Sequence, residues 1–95
     1  MLHEYSRMEL LIGEEGLEKL RNSKVAVFGI GGVGSYVAEA LARCGIGTLI
    51  LVDNDVVSLT NLNRQLIALH STIGQQKTEV MKNRIRDIDP EIVVH

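Results

Sequence analysis

The run Val25-Ala-Val-Phe-Gly-Ile-Gly-Gly-Val-Gly34 constrains this chain more than any other stretch. Its apolar start, Val25 to Phe28, reads as a short buried parallel strand, after which Gly29, Gly31, Gly32 and Gly34 lead into an apolar-periodic helix. Glycine is wanted there for separate reasons: a tight turn, close approach of a phosphate to the backbone, and packing of the helix on its strand. The product is an anion site made of backbone N–H groups at a helix N-terminus. A G-x-G-x-x-G run also occurs in turns that hold no ligand. Here a strand precedes it, a helix follows it, and Asp53 stands about 20 residues beyond. Asp53 closes the apolar run Thr48-Leu-Ile-Leu-Val52, where a carboxylate accepts hydrogen bonds from a ribose diol. That context favours nucleotide binding over a purely structural turn.

A doubly wound nucleotide-binding sheet has about five or six strands. At 95 residues the chain holds a single domain at most and has room for about three strands. The expected fold is therefore α/β: a Rossmann-like parallel sheet with helices on both faces, the first half of a doubly wound fold, with residues 1–95 forming the N-terminal part of a longer protein. A helical arm is expected over about 5–22 and a βαβαβ core over about 24–95. The net charge of −2, from 10 Lys and Arg against 12 Asp and Glu, gives no basic field, so a nucleic-acid substrate would dock elsewhere. The lone cysteine, Cys44, allows no internal disulfide and offers no metal-ligand spacing, which fits a reducing compartment. The apolar runs fall short of a membrane span, and Met1-Leu-His-Glu-Tyr-Ser-Arg7 lacks the pattern of a signal peptide. A cytoplasmic location without membrane contact is expected. His3, His70 and His95 are scattered and form no metal set.

Along the arm, Met8, Leu11, Ile12, Leu17 and Leu20 are spaced for one or two short helices interrupted at Gly13 and Gly16. Arg7, near its start, reads on its own as a solvated charge. Over Val33–Cys44 the inward face is expected to carry Val33, Val37, Ala40, Leu41 and Cys44, with Gly45 as the C-cap. Cys44 reads as packing rather than as a nucleophile, since it falls on the face expected to be buried and no helix N-terminus activates it. Thr60 or Asn61 is a plausible N-cap for a short helix carrying Arg64 and Gln65. Arg64 there, and Lys77 in the first turn of a helix from about Gln76 to Ile88, place cations at the positive end of a helix dipole. A nearby anion explains such placement better than helix stability does. Val80, Met81, Ile85 and Ile88 point inward, while Lys82, Arg84, Arg86 and Asp87 read as a solvated face. Asp89-Pro90 stops the helix, and Glu91-Ile-Val-Val94 begins a third strand.

Taken in order, Gly29-Ile-Gly-Gly-Val-Gly34, Asp53-Asn-Asp55, Thr60-Asn-Leu-Asn-Arg-Gln65 and Gly74-Gln-Gln-Lys77 resemble the ThiF/MoeB/HesA superfamily of adenylating enzymes, relatives of the ubiquitin-activating enzymes. The resemblance runs from about Ser6 to Val94. Within the superfamily, Glu39-Ala-Leu-Ala-Arg43, Thr60 to Gln65 and Arg84-Ile-Arg-Asp-Ile-Asp-Pro90 look most like the branch that dehydrates a threonylcarbamoyl group on tRNA adenosine. The resemblance implies ATP and Mg2+ as the ligands. It implies that Gly29, Gly31, Gly32 and Gly34 hold the phosphates, that Asp53 holds the ribose with Asp55 in the same binding set, and that Asn61, Arg64 and Lys77 surround the triphosphate. Arg7 matches an arginine that in relatives reaches into the other subunit's site, which replaces its reading as a bare surface charge and implies a homodimer. Arg7, Arg64 and Lys77 are thus the implied catalytic cations. No metal ligand is implied within the chain, because the family's second, magnesium-holding aspartate would fall beyond His95.

The chemistry agrees with those assignments. A carboxylate becomes reactive by attacking the α-phosphorus of ATP, with pyrophosphate leaving, and fixed cations with helix N–H groups stabilise the charge that builds on the phosphoryl oxygens. The first reading is adenylation of the threonylcarbamoyl carboxylate on tRNA, followed by ring closure with net loss of water. The alternatives are an activator of a ubiquitin-like sulfur carrier, with a carrier or cysteine-desulfurase-type protein as partner, an NAD-binding dehydrogenase, and a non-catalytic nucleotide-binding fragment.

Overall fold

The computed structural model describes residues 3–95. In chain order a helix α1 (Ser6–Arg21) leads into β1 (Lys24–Phe28), α2 (Gly34–Cys44), β2 (Thr48–Val52), α3 (Lys77–Ile88) and β3 (Val93–Val94). The strands form one parallel sheet in the order β1-β2-β3, in register from Lys24↔Thr48 to Phe28↔Val52 and from Thr48↔Val93 to Leu49↔Val94. Consecutive parallel strands require crossovers, and successive right-handed crossovers in one direction put α2 and α3 side by side on one face. There Val27, Leu49 and Leu51 of the sheet meet Ala38 and Ala42 of α2 and Val80, Met81 and Ile85 of α3, with Ile30, Ile46 and Ile67 closing the ends. Each large aliphatic side chain so buried contributes about 1.5–3 kcal/mol. On the other face Lys24, Ala26 and Phe28 are exposed. Of the helices expected on both faces of the sheet, α2 and α3 cover one face among the described residues.

Several local expectations are corrected. α2 turns Ser35, Ala38 and Ala42 inward, while Val33, Val37 and Ala40 are exposed and Cys44 is half-buried. The helix is apolar on two sides, and the small side lets its backbone approach the sheet closely. α1 breaks at Gly13 (φ 74°, ψ 175°) but continues helically through Gly16, and Leu17 is its buried residue. Leu10 and Leu11 remain more than 80% exposed (84% and 82%). Tyr5 and Arg21, at the two ends of the arm, border one hollow with Gly47 and Asp89, so the arm folds back on itself and carries its apolar tip away from the sheet. No helix starts at Thr60 or Asn61. A single 3-10 turn, Leu59–Asn61, follows Ser58 instead, and the Asn61 carbonyl accepts from both Arg64 N (3.2 Å) and Gln65 N (3.0 Å). β3 is shorter than expected because Asp89 holds the preceding turn, its carboxylate accepting from Glu91 N (2.9 Å) and its carbonyl from Ile92 N (3.3 Å). Arg84 leaves the solvated face to bind Glu39 on α2 through two hydrogen bonds, Nε to Oε1 (2.7 Å) and a terminal nitrogen to Oε2 (3.0 Å).

Candidate nucleotide-binding site

The glycine turn is built by two of its members. Gly29 leaves β1 with φ 86° while its N–H still donates to Val52 O at 2.8 Å, a conformation that favours glycine. Gly34 opens α2 directly against that turn, where a Cβ would lie 1.6 Å from the Gly29 carbonyl oxygen. Between them Ile30 is buried, Gly31 and Gly32 are half-buried and Val33 is exposed. Ile30 N donates to Asp53 Oδ2 (2.7 Å), and the Gly31 carbonyl accepts from Ser35 N and from the Ser35 hydroxyl. Among the hydrogen bonds of the described residues, the N–H groups of Gly31, Gly32, Val33 and Gly34 have no acceptor. Successive free N–H groups at a helix start form an anion-binding concavity.

Asp53 stands at the carboxyl end of β2, as expected, with one oxygen on Ile30 N and the other on Asp55 N (2.7 Å). It ties the glycine turn to the β2 exit and keeps lone pairs for a further donor. Beyond it the chain clasps the start of α3: Asp55 O accepts from Lys77 N (3.1 Å), Val57 N donates to Gln75 O (2.8 Å), and Val56 bridges to Gln76. This clasp brings Lys77, the first residue of α3, to the same end of the sheet as the glycine turn. Lys77 is only 6% exposed, and neither it nor Arg64 belongs to any ion pair among the described residues.

The segment from Ser58 to Gln65 lies against the glycines. Buried Asn61 accepts from Ser58 N through its side chain (2.9 Å), which fixes the turn. Arg64 lays its stem beside Gly32, 3.9 Å from where a Cβ would stand, and its guanidinium donates to Thr60 O (3.0 Å) and Asn63 Oδ1 (2.9 Å). Gln65 packs beside Gly31. The glycines, Asp53, Asp55, Asn61, Arg64 and Lys77 are therefore gathered at the carboxyl ends of the strands. Arg7 is not. It is exposed in the first turn of α1, two residues after Tyr5, which sits against Gly45 and Asp89 just past the C-terminal ends of α2 and α3. Those ends lie at the amino side of the sheet, opposite the glycine turn. Sequence reasoning missed Ser35 and the burial of Gln65, although both adjoin residues it had chosen.

The arrangement fits a polyphosphate: free N–H groups, two cations without carboxylate partners, and glycines that leave the approach clear. A divalent metal has weaker support from this chain's own residues, since both Asp53 oxygens already hold N–H groups and no group of three His, Cys, Asp or Glu among the described residues is placed to hold one. No helix among them is long and apolar enough to cross a membrane.

The same elements recur in known proteins. The tRNA threonylcarbamoyladenosine dehydratase of Bacillus subtilis (strain 168) is 64% identical over 94 residues, covering 99% of this chain and 37% of that protein. The crystal structure of E. coli tRNA N6-threonylcarbamoyladenosine dehydratase, TcdA, superimposes with a TM-score of 0.95 at 48% identity, over 97% of this chain and 38% of that one. The same enzyme in complex with ATP gives a TM-score of 0.94 at 48% identity, over 96% of this chain and 37% of that one. The chain thus spans well under half the length of these relatives. The model of the ThiF family matches residues 5–95, so the glycine turn, the carboxylate after β2 and the buried lysine that opens α3 all fall within the match, and the chain belongs to the ThiF family.

Proposed function

We propose that this chain is the nucleotide-binding part of an ATP-dependent adenylating enzyme acting on the threonylcarbamoyl group of tRNA adenosine. The observation that carries the reading is the convergence of four N–H groups, Gly31 to Gly34, with Arg64 and Lys77, the N–H groups without acceptors and the cations without carboxylate partners among the described residues. In this reading Gly29, Gly31, Gly32 and Gly34 hold the phosphates and Asp53 takes the ribose, while Asp55 fixes the start of α3. Asn61 shapes the turn that carries Arg64, and Arg64 and Lys77 surround the triphosphate. Mg2+ accompanies the nucleotide and offsets charge on its phosphates.

The carboxylate oxygen of the substrate bonds to the α-phosphorus as the bond to pyrophosphate breaks. Lys77, Arg64 and the N–H groups stabilise charge on the phosphoryl oxygens during that step. The activated carbonyl is then attacked within the same group, the ring closes, and AMP leaves, so the substrate has lost water overall. Arg7 completes the phosphate site of a neighbouring subunit in a homodimer. Identity with dehydratases that act on tRNA favours tRNA over a carrier protein, and with it a cytoplasmic setting. Calorimetric titration of the full-length protein with ATP and with NAD, each with magnesium, tests the reading: ATP binds more tightly, and preference for NAD would refute it.

A further inference from the structure

Gln65 is 7% exposed and its Oε1 is buried without a hydrogen-bond partner. Its backbone is satisfied, with N donating to Asn61 O and O accepting from Ala68 N, both at 3.0 Å, so the loose end is the side chain alone. That carboxamide makes no hydrogen bond among the described residues, and it lies over the glycine turn, where a Cβ on Gly31 would stand 3.7 Å from Nε2 and 3.9 Å from Cδ. A buried carbonyl oxygen without a partner, here Oε1, destabilises the nucleotide-free fold, and an apolar side chain of the same shape would avoid the penalty.

We propose that Gln65 is a further nucleotide-contacting residue, its Nε2 donating to a phosphoryl oxygen of a nucleotide seated over Gly31. The inference rests on the nucleotide reading of the site and adds a neutral donor to it. Gly31 has no side chain to intervene, and the adjacent free N–H groups draw the same anion to the same place. The unpaired Oε1 is then the stability forgone for holding Nε2 at the turn, since a planar carboxamide cannot present one end without placing the other.

Methionine keeps the length of Gln65 and removes both polar atoms, whereas glutamate keeps the shape and replaces the donor with negative charge. In the full-length protein, Gln65→Met melts at or above the parent temperature without nucleotide, yet binds ATP about tenfold more weakly, the loss of one hydrogen bond. Gln65→Glu binds ATP on the order of a hundredfold more weakly, since it adds repulsion to the lost donor. A packing role predicts the reverse pattern, with a lower melting temperature and unchanged affinity. ATP affinity within about twofold of the parent in Gln65→Met, or in Gln65→Glu should the methionine variant not fold, overturns the proposal while leaving the nucleotide reading intact. A parent that binds no ATP overturns both.

Discussion

The Tyr5 hydroxyl donates to Asp89 Oδ2 at 2.6 Å and lies 3.3 Å from Ala42 O, so one side chain joins the root of the arm to the ends of α3 and α2. Burial, and then the Asp89 carboxylate that accepts its proton, push the phenol well above its ordinary value of 10.0. A folded-state pKa raised above the unfolded one contributes stability that is fully present below the unfolded value and is lost as pH rises through the folded one. Tyr5→Phe therefore lowers unfolding free energy by about 1–3 kcal/mol at neutral pH. The gap between variant and parent narrows as pH rises beyond 10.0. Urea denaturation across that range checks it, and a gap independent of pH would mean that the hydroxyl is solvated in the folded state.

Glu39 gives the acid-side counterpart. Its hydrogen bonds from Arg84, and secondarily from Arg43, hold its carboxyl below the ordinary 4.5 against the opposing effect of burial. This stability is present above the unfolded pKa and lost as pH falls through the folded one. Glu39→Gln should flatten the acid limb of a melting-temperature profile. The effect at neutral pH is about 1 kcal/mol or less, because the Arg84 side chain is 37% exposed and solvent screens the pair. An unchanged acid limb would assign the acid lability to other carboxylates.

The two kinds of glycine in the turn separate by experiment. A Cβ at Gly34 would meet the Gly29 carbonyl at 1.6 Å, and backbone cannot yield that far, whereas one at Gly31 meets nothing nearer than Gln65 Nε2 at 3.7 Å. Gly34→Ala should fail to fold or lose about 3 kcal/mol or more. Gly31→Ala should melt close to the parent but bind ATP poorly, since its methyl occupies the approach of the phosphate. Equal melting temperatures for the two variants would show that the turn relaxes.

Continuous apolar runs made β2 and, to within a residue, β1 legible, although Ala26 and Phe28 of the strand expected to be buried are exposed, and helical period made the inner face of α3 legible. α2 was not legible in this way: Val33, Val37 and Ala40 outside compete with Ala38, Leu41 and Ala42 inside, and the contact of Gly34 with Gly29, not hydrophobicity, sets the rotation. Arg84 read as a surface charge because its partner Glu39 lies 45 residues away. Arg64 and Lys77 drew notice in the sequence as cations at the positive end of a helix dipole and through the family motif, although the short helix expected to carry Arg64 is absent. The burial of Lys77 and Gln65 was not legible, since it depends on how the segment after Asp53 clasps the start of α3.

Arg7 and Lys77 lie at opposite ends of the sheet, yet the proposed function gives both a part in one chemical step. Tyr5 fixes the root of the arm at the amino side, so Arg7 reaches a glycine turn only if that turn belongs to another molecule. The arm's tip, with Leu10 and Leu11 exposed, offers apolar surface for such a neighbour. In the proposed twofold dimer each phosphate site would take Lys77 from its own subunit and Arg7 from the partner. Arg7→Ala and Lys77→Ala in the full-length enzyme should each lower ATP–pyrophosphate exchange on the order of a hundredfold, with melting temperatures little changed. When the two variants are mixed and subunits exchange, a mixed dimer holds one site with both lesions and one with neither. About half of the parental activity per mixed dimer should then return. No recovery, with mixed dimers demonstrated by differently tagged subunits, would mean that Arg7 serves its own subunit through a rearranged arm or takes no part in the step.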